Sequence, residues 1–196
     1  MKSQVTTKHG DSGDTTTLAG EKVSKSHAIV ECTGCIDEAR AWTALVRQRL
    51  TSANLEDAAH WQDFLLWLLH VYFVIGSACS DPANRRPTYH PRVLGQADIE
   101  RLESEQQRLE DRVKLPRQFA ASGANPVAAE CDVLVTVVRR MERSVVRLRE
   151  SVPDFEATAI LIFVNRLSDT LFMLARYLDG GVHVPVDYRL LDTGME

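Results

Sequence analysis

Two stretches, residues 133–149 (VLVTVVRRMERSVVRLR) and 160–176 (ILIFVNRLSDTLFMLAR), most constrain what this chain can fold into. Through the first, Val127, Cys131, Leu134, Val138, Met141, Val145 and Leu148 recur at alternating steps of four and three, the seam of a packed helix. The second repeats the design with Ile160, Val164, Leu167, Leu171, Leu174 and Leu178. At about 100° per residue, Arg139, Glu142 and Arg143 fall on one strip beside the first seam. Asn165, Asp169 and Arg176 form a matching polar strip on the second. Charges at helical spacing usually make a solvated face worth a few tenths of a kcal/mol per pair. Spacing alone therefore marks the place for a site and does not define one.

The rest of the chain supplies three more seams. Residues 29–50 carry Cys32, Ile36, Ala39, Thr43, Val46 and Leu50; residues 55–79 carry Trp61, Leu65, Leu68, Tyr72, Ile75 and Cys79. The run FLLWLLHVYFVIGSAC in the latter is sixteen residues with a histidine inside, shorter than the roughly twenty that span a bilayer, so it reads as a buried core helix. Residues 81–92, with prolines at 82, 87 and 91, read as a loop. A thin stripe of Ile99, Leu102, Leu109 and Val113 predicts a polar outer helix over 96–115, stopped by Pro116. Helix four is expected over 126–151 and helix five over 155–179, stopped by Gly180 and Gly181. Phe119 falls on the connector, where capping the core is the plainest role for an aromatic. The expected fold is an all-α, five-helix bundle with left-handed up-down packing, one domain over residues 1–196. The tail after Gly181 is expected to pair with a neighbour or to be loose.

Residues 1–27 are rich in Gly, Ser, Thr and Asp without an apolar period, so neither a buried helix nor a buried strand is expected there. Gly10, Gly13 and Gly20, the hydroxyls of Thr15, Thr16 and Thr17, and the cations Lys8 and Lys25 are the ingredients of a phosphate cradle. The segment lacks the Walker pattern, since Gly20 is followed by Glu21. A net charge of -4 gives no long-range attraction for nucleic acid, so any bound anion must be held by a local cluster. Cys79 and Cys131 lie in apolar runs and read as reduced, packed thiols. Cys32 and Cys35 form a C-x-x-C with no second pair nearby to complete a metal site, and the six histidines have no ligand spacing. No metal is assigned to side chains, and a cytoplasmic protein without secretory signal or membrane span is expected.

Four blocks together carry a family resemblance: TKHGDSGDTTTLAGEKVSK near the start, the Asp37-Glu38 pair, RRMER at 139–143, and NRLSDTLFMLARY from 165, with FVIG at 73–76. In order and spacing the chain resembles the ATP:cob(I)alamin adenosyltransferases of the propanediol-utilisation type over about residues 6–179. The resemblance implies transfer of the 5′-deoxyadenosyl group of ATP to reduced corrinoid cobalt, with triphosphate leaving. It carries ATP contacts onto Thr7, Lys8, His9, Gly10, Thr15, Thr16, Lys25, Arg139, Arg140, Glu142, Arg143 and Asn165. Within that set, Arg139, Arg143 and Lys25 would offset leaving-group charge, and Asn165 and Glu142 would hold the nucleoside. Asp169 would orient the arginines, and Phe119 would displace the lower axial base of the corrinoid. It also implies Mg²⁺ with the triphosphate, a homotrimer with the site between subunits, and a cobalamin reductase or a B12-dependent enzyme as further partner.

The chain departs from the family pattern at three places. Val135 stands where the family has an arginine, on what looks like the strip of Arg139, which leaves Asp37 needing Arg40 or a neighbouring subunit as partner. Asp132 replaces a histidine, and Ala-Ala-Ser-Gly-Ala follows Phe119. Two readings fit that pattern: the adenosyltransferase itself, or a non-catalytic relative that holds ATP as a sensor or carrier.

Overall fold

The computed structural model describes residues 6, 8–51, 55–90, 92–115, 117, 119–121, 123–182 and 184–191. Five helices carry the fold: α1 (Ala28–Leu50), α2 (Ala58–Ser80), α3 (Gln96–Glu110), α4 (Pro126–Ser151) and α5 (Thr158–Leu178). Ahead of them, β1 (Asp14–Thr16) and β2 (Lys22–Ser24) form an antiparallel hairpin in the register Asp14↔Ser24, Thr15↔Val23, Thr16↔Lys22. A second pair, β3 (Ala120–Ala121) and β4 (Val184–Pro185), joins the α3–α4 connector to the tail after α5.

The helices start where the sequence offers caps. His27 Nδ1 accepts from Ile29 N at 3.2 Å to open α1. Asn125 Oδ1 accepts from Ala128 N at 3.0 Å, with Pro126 at the first helical position where its missing N–H costs nothing. At α3, Asp98 Oδ2 accepts from Gly95 N at 3.0 Å. At α2, Asp57 makes no cap hydrogen bond because its carboxylate is used elsewhere: it accepts from Trp61 Nε1, from Tyr177 Oη at 2.7 Å and from Arg112, tying the ends of α2, α3 and α5 together.

α1 packs on α2 and α4, α4 on α5, and α3 on α5 alone among the well-packed pairs, the outer position that its polar sequence implies. The expected seams are the core. In α4, Cys131, Leu134, Val138, Met141, Val145 and Leu148 are wholly buried, and so are Val164, Leu167, Leu171 and Leu174 of α5. Trp61, Leu65, Leu68, Tyr72, Ile75 and Cys79 line the buried side of α2, which accounts for the apolarity of that helix as core. Each such side chain contributes on the order of 1.5–3 kcal/mol by leaving water. The buried Tyr72 hydroxyl accepts from Thr43 Oγ1 at 3.2 Å, so no polar group is stranded there. All four cysteines are free and buried. A hydrogen bond between the Cys32 and Cys79 thiols, across α1 and α2, pulls the Cys32 pKa down and pushes that of Cys79 up.

The head, where no buried strand was expected, forms the β1–β2 hairpin over residues 14–24 with only Thr17 within it buried, as its lack of an apolar period implies. Several expectations elsewhere are corrected. α3 stops at Glu110 and not near residue 115, because Arg112 turns away to the Asp57 carboxylate; Pro116 lies outside the described residues. Phe119 does not cap the core, being 82% exposed, and its carbonyl accepts from Val186 N at 2.9 Å beside the β3–β4 ladder. Val135 is 4% exposed and packs in the core, on the α5 side of α4.

Arg176 also leaves the exposed strip. Its side chain is 2% exposed, donates from Nη2 to Asp132 Oδ2 at 2.6 Å, and places Nε 3.0 Å from Asp179 Oδ2 without hydrogen-bond alignment. The connector closes over this end of α5, where Ala124 N donates to Asp179 Oδ1 and Asn125 Nδ2 to Leu178 O. Asp132, one of the departures from the family pattern, is thus half of a largely buried ion pair. Removing one partner of such a pair strands the other charge. Arg176→Ala should lower unfolding free energy by about 3–5 kcal/mol in chemical denaturation, whereas a shift under about 1 kcal/mol would show that the pair carries no stability.

Candidate nucleotide-binding site

Two groups of site residues take shape on separate elements. On the outward face of α4 and α5, Arg139 and Arg143 are exposed one turn apart, with the half-buried Glu142 between them. Asn165 Nδ2 of α5 donates to Glu142 Oε1 at 3.2 Å. Among the described residues, the side chains of Arg139 and Arg143 enter no hydrogen bond or ion pair. That is unusual for a face where cations stand beside a glutamate, and it leaves two guanidinia able to take an oxyanion in fork geometry.

Arg140 points elsewhere. It pairs with Glu38 of α1, and that bond raises its already high pKa. Asp37, the other half of the acidic pair, is met by Arg40 Nη2 at 2.9 Å within α1 and is 65% exposed, so it is neither buried nor alone. Arg40 also lies over the Phe73 ring, 4.5 Å from its centre. Asp169 is exposed and lines a hollow between α3 and α5 with Glu103, Gln106, Gln107, Glu110 and Arg166. Its side chain makes no bond to Arg139 or Arg143 among the described residues.

The second group is the head. Lys8 adopts φ 61°, and Gly13 adopts φ 86°, a left-handed conformation that glycine enters without strain. Gly13 N donates to Gly10 O, and Gly13 O accepts from Lys25 N at 2.8 Å, which closes the loop of residues 8–13 against β2. Lys25 Nζ reaches back to Gly10 O at 2.7 Å. Lys8, His9, Gly10, Thr15, Thr16 and Lys25 therefore share one small hairpin with an exposed cationic mouth. Thr7 lies outside the described residues. Among those described, no hydrogen bond or ion pair joins the head to the Arg139–Arg143 strip of the same chain.

The sequence reading passed over the residues that hold the head to the bundle. Leu18 N donates to Ser80 Oγ at 3.1 Å, and Glu21 pairs with Arg85 from the loop after α2. Consecutive arginines in a proline-bounded loop were the only available signal.

Among the described residues, the structure thus combines an outer helix face bearing two unpaired arginines with a glycine-rich hairpin at one end, a helical bundle with a candidate anion site. The comparisons narrow that class. The family model for cobalamin adenosyltransferase matches residues 5–178, and the chain belongs to that family. It is 31% identical over 180 residues to the corrinoid adenosyltransferase PduO of Salmonella typhimurium, covering 90% of this chain and 50% of that one. It is 29% identical over 181 residues to the corrinoid adenosyltransferase of Mycobacterium tuberculosis, covering 91% of each. The chain thus spans about half the length of its PduO relatives. Among solved structures, a variant of the PduO-type ATP:corrinoid adenosyltransferase from Lactobacillus reuteri, complexed with cobalamin and ATP, superposes with a TM-score of 0.81. It is 24% identical and covers 94% of this chain and 97% of that one. Another variant of the same enzyme, complexed with ATP, gives 0.77 at 25% identity over 92% and 99%.

A side chain at residue 10 would test the head. A Cβ there would lie 2.9 Å from Lys25 Nζ, so Gly10→Ala must push the ammonium off the Gly10 carbonyl. Weakening of nucleotide affinity by roughly 1 kcal/mol, with the melting temperature unchanged, is expected in calorimetric titration. Unchanged affinity would remove this loop from the site.

Proposed function

We propose that this chain is an ATP:corrinoid adenosyltransferase that works as a homotrimer in the cytoplasm, with ATP held between the head of one subunit and the α4–α5 face of another. The unpaired state of Arg139 and Arg143 among the described residues, beside the Glu142–Asn165 bond, carries the reading. Family membership supports it.

In this reading Arg139, Arg143 and Lys25 take the triphosphate. The reduced cobalt attacks C5′ with its electron pair, the C5′–O bond breaks, and the triphosphate leaves with the bonding electrons as charge grows on its oxygens. Fixed guanidinia aimed at that charge lower the barrier, and holding cobalt and C5′ in line removes most of the entropic cost. The Glu142–Asn165 pair offers acceptor and donor positions to the ribose or base. No group of three or more metal-ligating side chains occurs among the described residues, which suits a Mg²⁺ that arrives on the triphosphate and needs few protein ligands. Phe119, exposed and fixed through its carbonyl, is the residue that can press on the corrinoid. A cobalamin reductase would supply the reduced cobalt, and a B12-dependent enzyme would take the product.

Purified protein with ATP, Mg²⁺ and chemically reduced cobalamin is expected to give the light-sensitive spectrum of a cobalt–carbon bond. ATP binding without that spectral change would turn the reading into a nucleotide sensor or carrier. Arg139→Ala is expected to weaken ATP binding by about 1.5–3 kcal/mol, the worth of a charge-assisted contact; wild-type affinity would take Arg139 out of the site.

A further inference from the structure

The geometry points to Arg85 and Arg86, set in place by Asp81, as positioning residues for the nucleotide-binding head. The inference rests on the head's proposed role in holding ATP. It concerns residues that the family resemblance did not assign.

The hairpin has little to hold it by itself. Three residue pairs make up its ladder, only Thr17 within it is buried, and two-stranded hairpins of this size are marginal in water. Its orientation must come from docking. The turn of residues 17–21 is docked at three points: Leu18 N on Ser80 Oγ at the end of α2, Glu21 on Arg85, and Gly20 beneath the Arg86 guanidinium. Gly20 has φ 85°, and a Cβ at that position would collide with Arg86 Nη2 and Cζ, so the arginine lies directly over the turn.

Both arginines leave a loop organised by one carboxylate. Asp81 is 2% exposed and accepts from Arg85 N at 2.9 Å, Arg86 N at 2.8 Å and His90 Nε2 at 3.0 Å. Burial opposes its charge, but the Arg85 and Arg86 amides outweigh that and hold the carboxyl below its usual range. With both backbone positions fixed, the guanidinia are launched toward the hairpin turn. The other end of the same hairpin presents Lys8, Gly10 and Lys25. Docking therefore raises the fraction of time the cationic mouth is in its binding arrangement, and apparent affinity scales with that fraction. A residue acting in this way changes ATP affinity and leaves turnover at saturating ATP alone.

The test uses the charge pair, which can be reversed. In calorimetric titration with MgATP, Arg85→Glu is expected to raise Kd roughly three- to tenfold through loss of the pair and like-charge repulsion with Glu21. The KM for ATP should rise in step, with kcat at saturating ATP and the melting temperature of the bundle unchanged. Adding Glu21→Arg to Arg85→Glu should recover most of the affinity, and Asp81→Asn should reproduce the loss. Wild-type Kd in Arg85→Glu and in a double Arg85→Ala, Arg86→Ala variant would overturn the proposal, as would a reversed pair that recovers nothing. If the wild type binds MgATP without adenosylating cobalamin, the catalytic reading fails while the titration still decides this one. If the wild type binds no MgATP, both fall.

Discussion

The rotation of α4 about its own axis is the constraint on which the rest depends. Cys131, Leu134, Val138, Met141, Val145 and Leu148 are wholly buried between α1 and α5. Turning the helix by one residue would drag the whole seam into water at a cost of many kcal/mol. With the seam fixed, Arg139 and Arg143 can only point outward, Arg140 can only meet Glu38 of α1, and Glu142 can only meet Asn165 of α5. The three arginines of RRMER thus have two fates set by packing: one completes a helix–helix contact, and two remain without partners among the described residues.

Nonpolar periodicity made most of the fold legible. Every residue of the expected α1 and α2 seams is buried, and those helices begin and end within three residues of their expected limits. The misses have physical causes. Val135 lies only about 40° around the helix from Arg139, yet the edge of the α5 contact falls between them, and a single-helix projection does not show where a neighbour's footprint ends. Arg176 shares the angular position of Asn165 but lies about three helical turns further along α5, where Asp132 and Asp179 flank it and the connector closes over that end. The early end of α3 follows from Arg112 and Asp57, partners 55 residues apart that no local pattern links.

The candidate site was legible in a different way. Motif blocks located both the head and the RRMER strip, and the structure gathers each into a compact group. What the sequence could not show is the scaffolding of the head. That scaffolding consists of backbone amides, one buried carboxylate and a left-handed glycine, none of which has periodicity.

The head's moorings run to α2 and its following loop, and none among the described residues runs to α4 of the same chain. If one nucleotide bridges two copies, its binding constant and the association constant of those copies become linked quantities, each raised by the same factor when the other ligand is present. Cellular ATP would then stabilise the quaternary assembly as well as feed the reaction. Dilution would expel nucleotide from a protein whose individual folded chains had not changed.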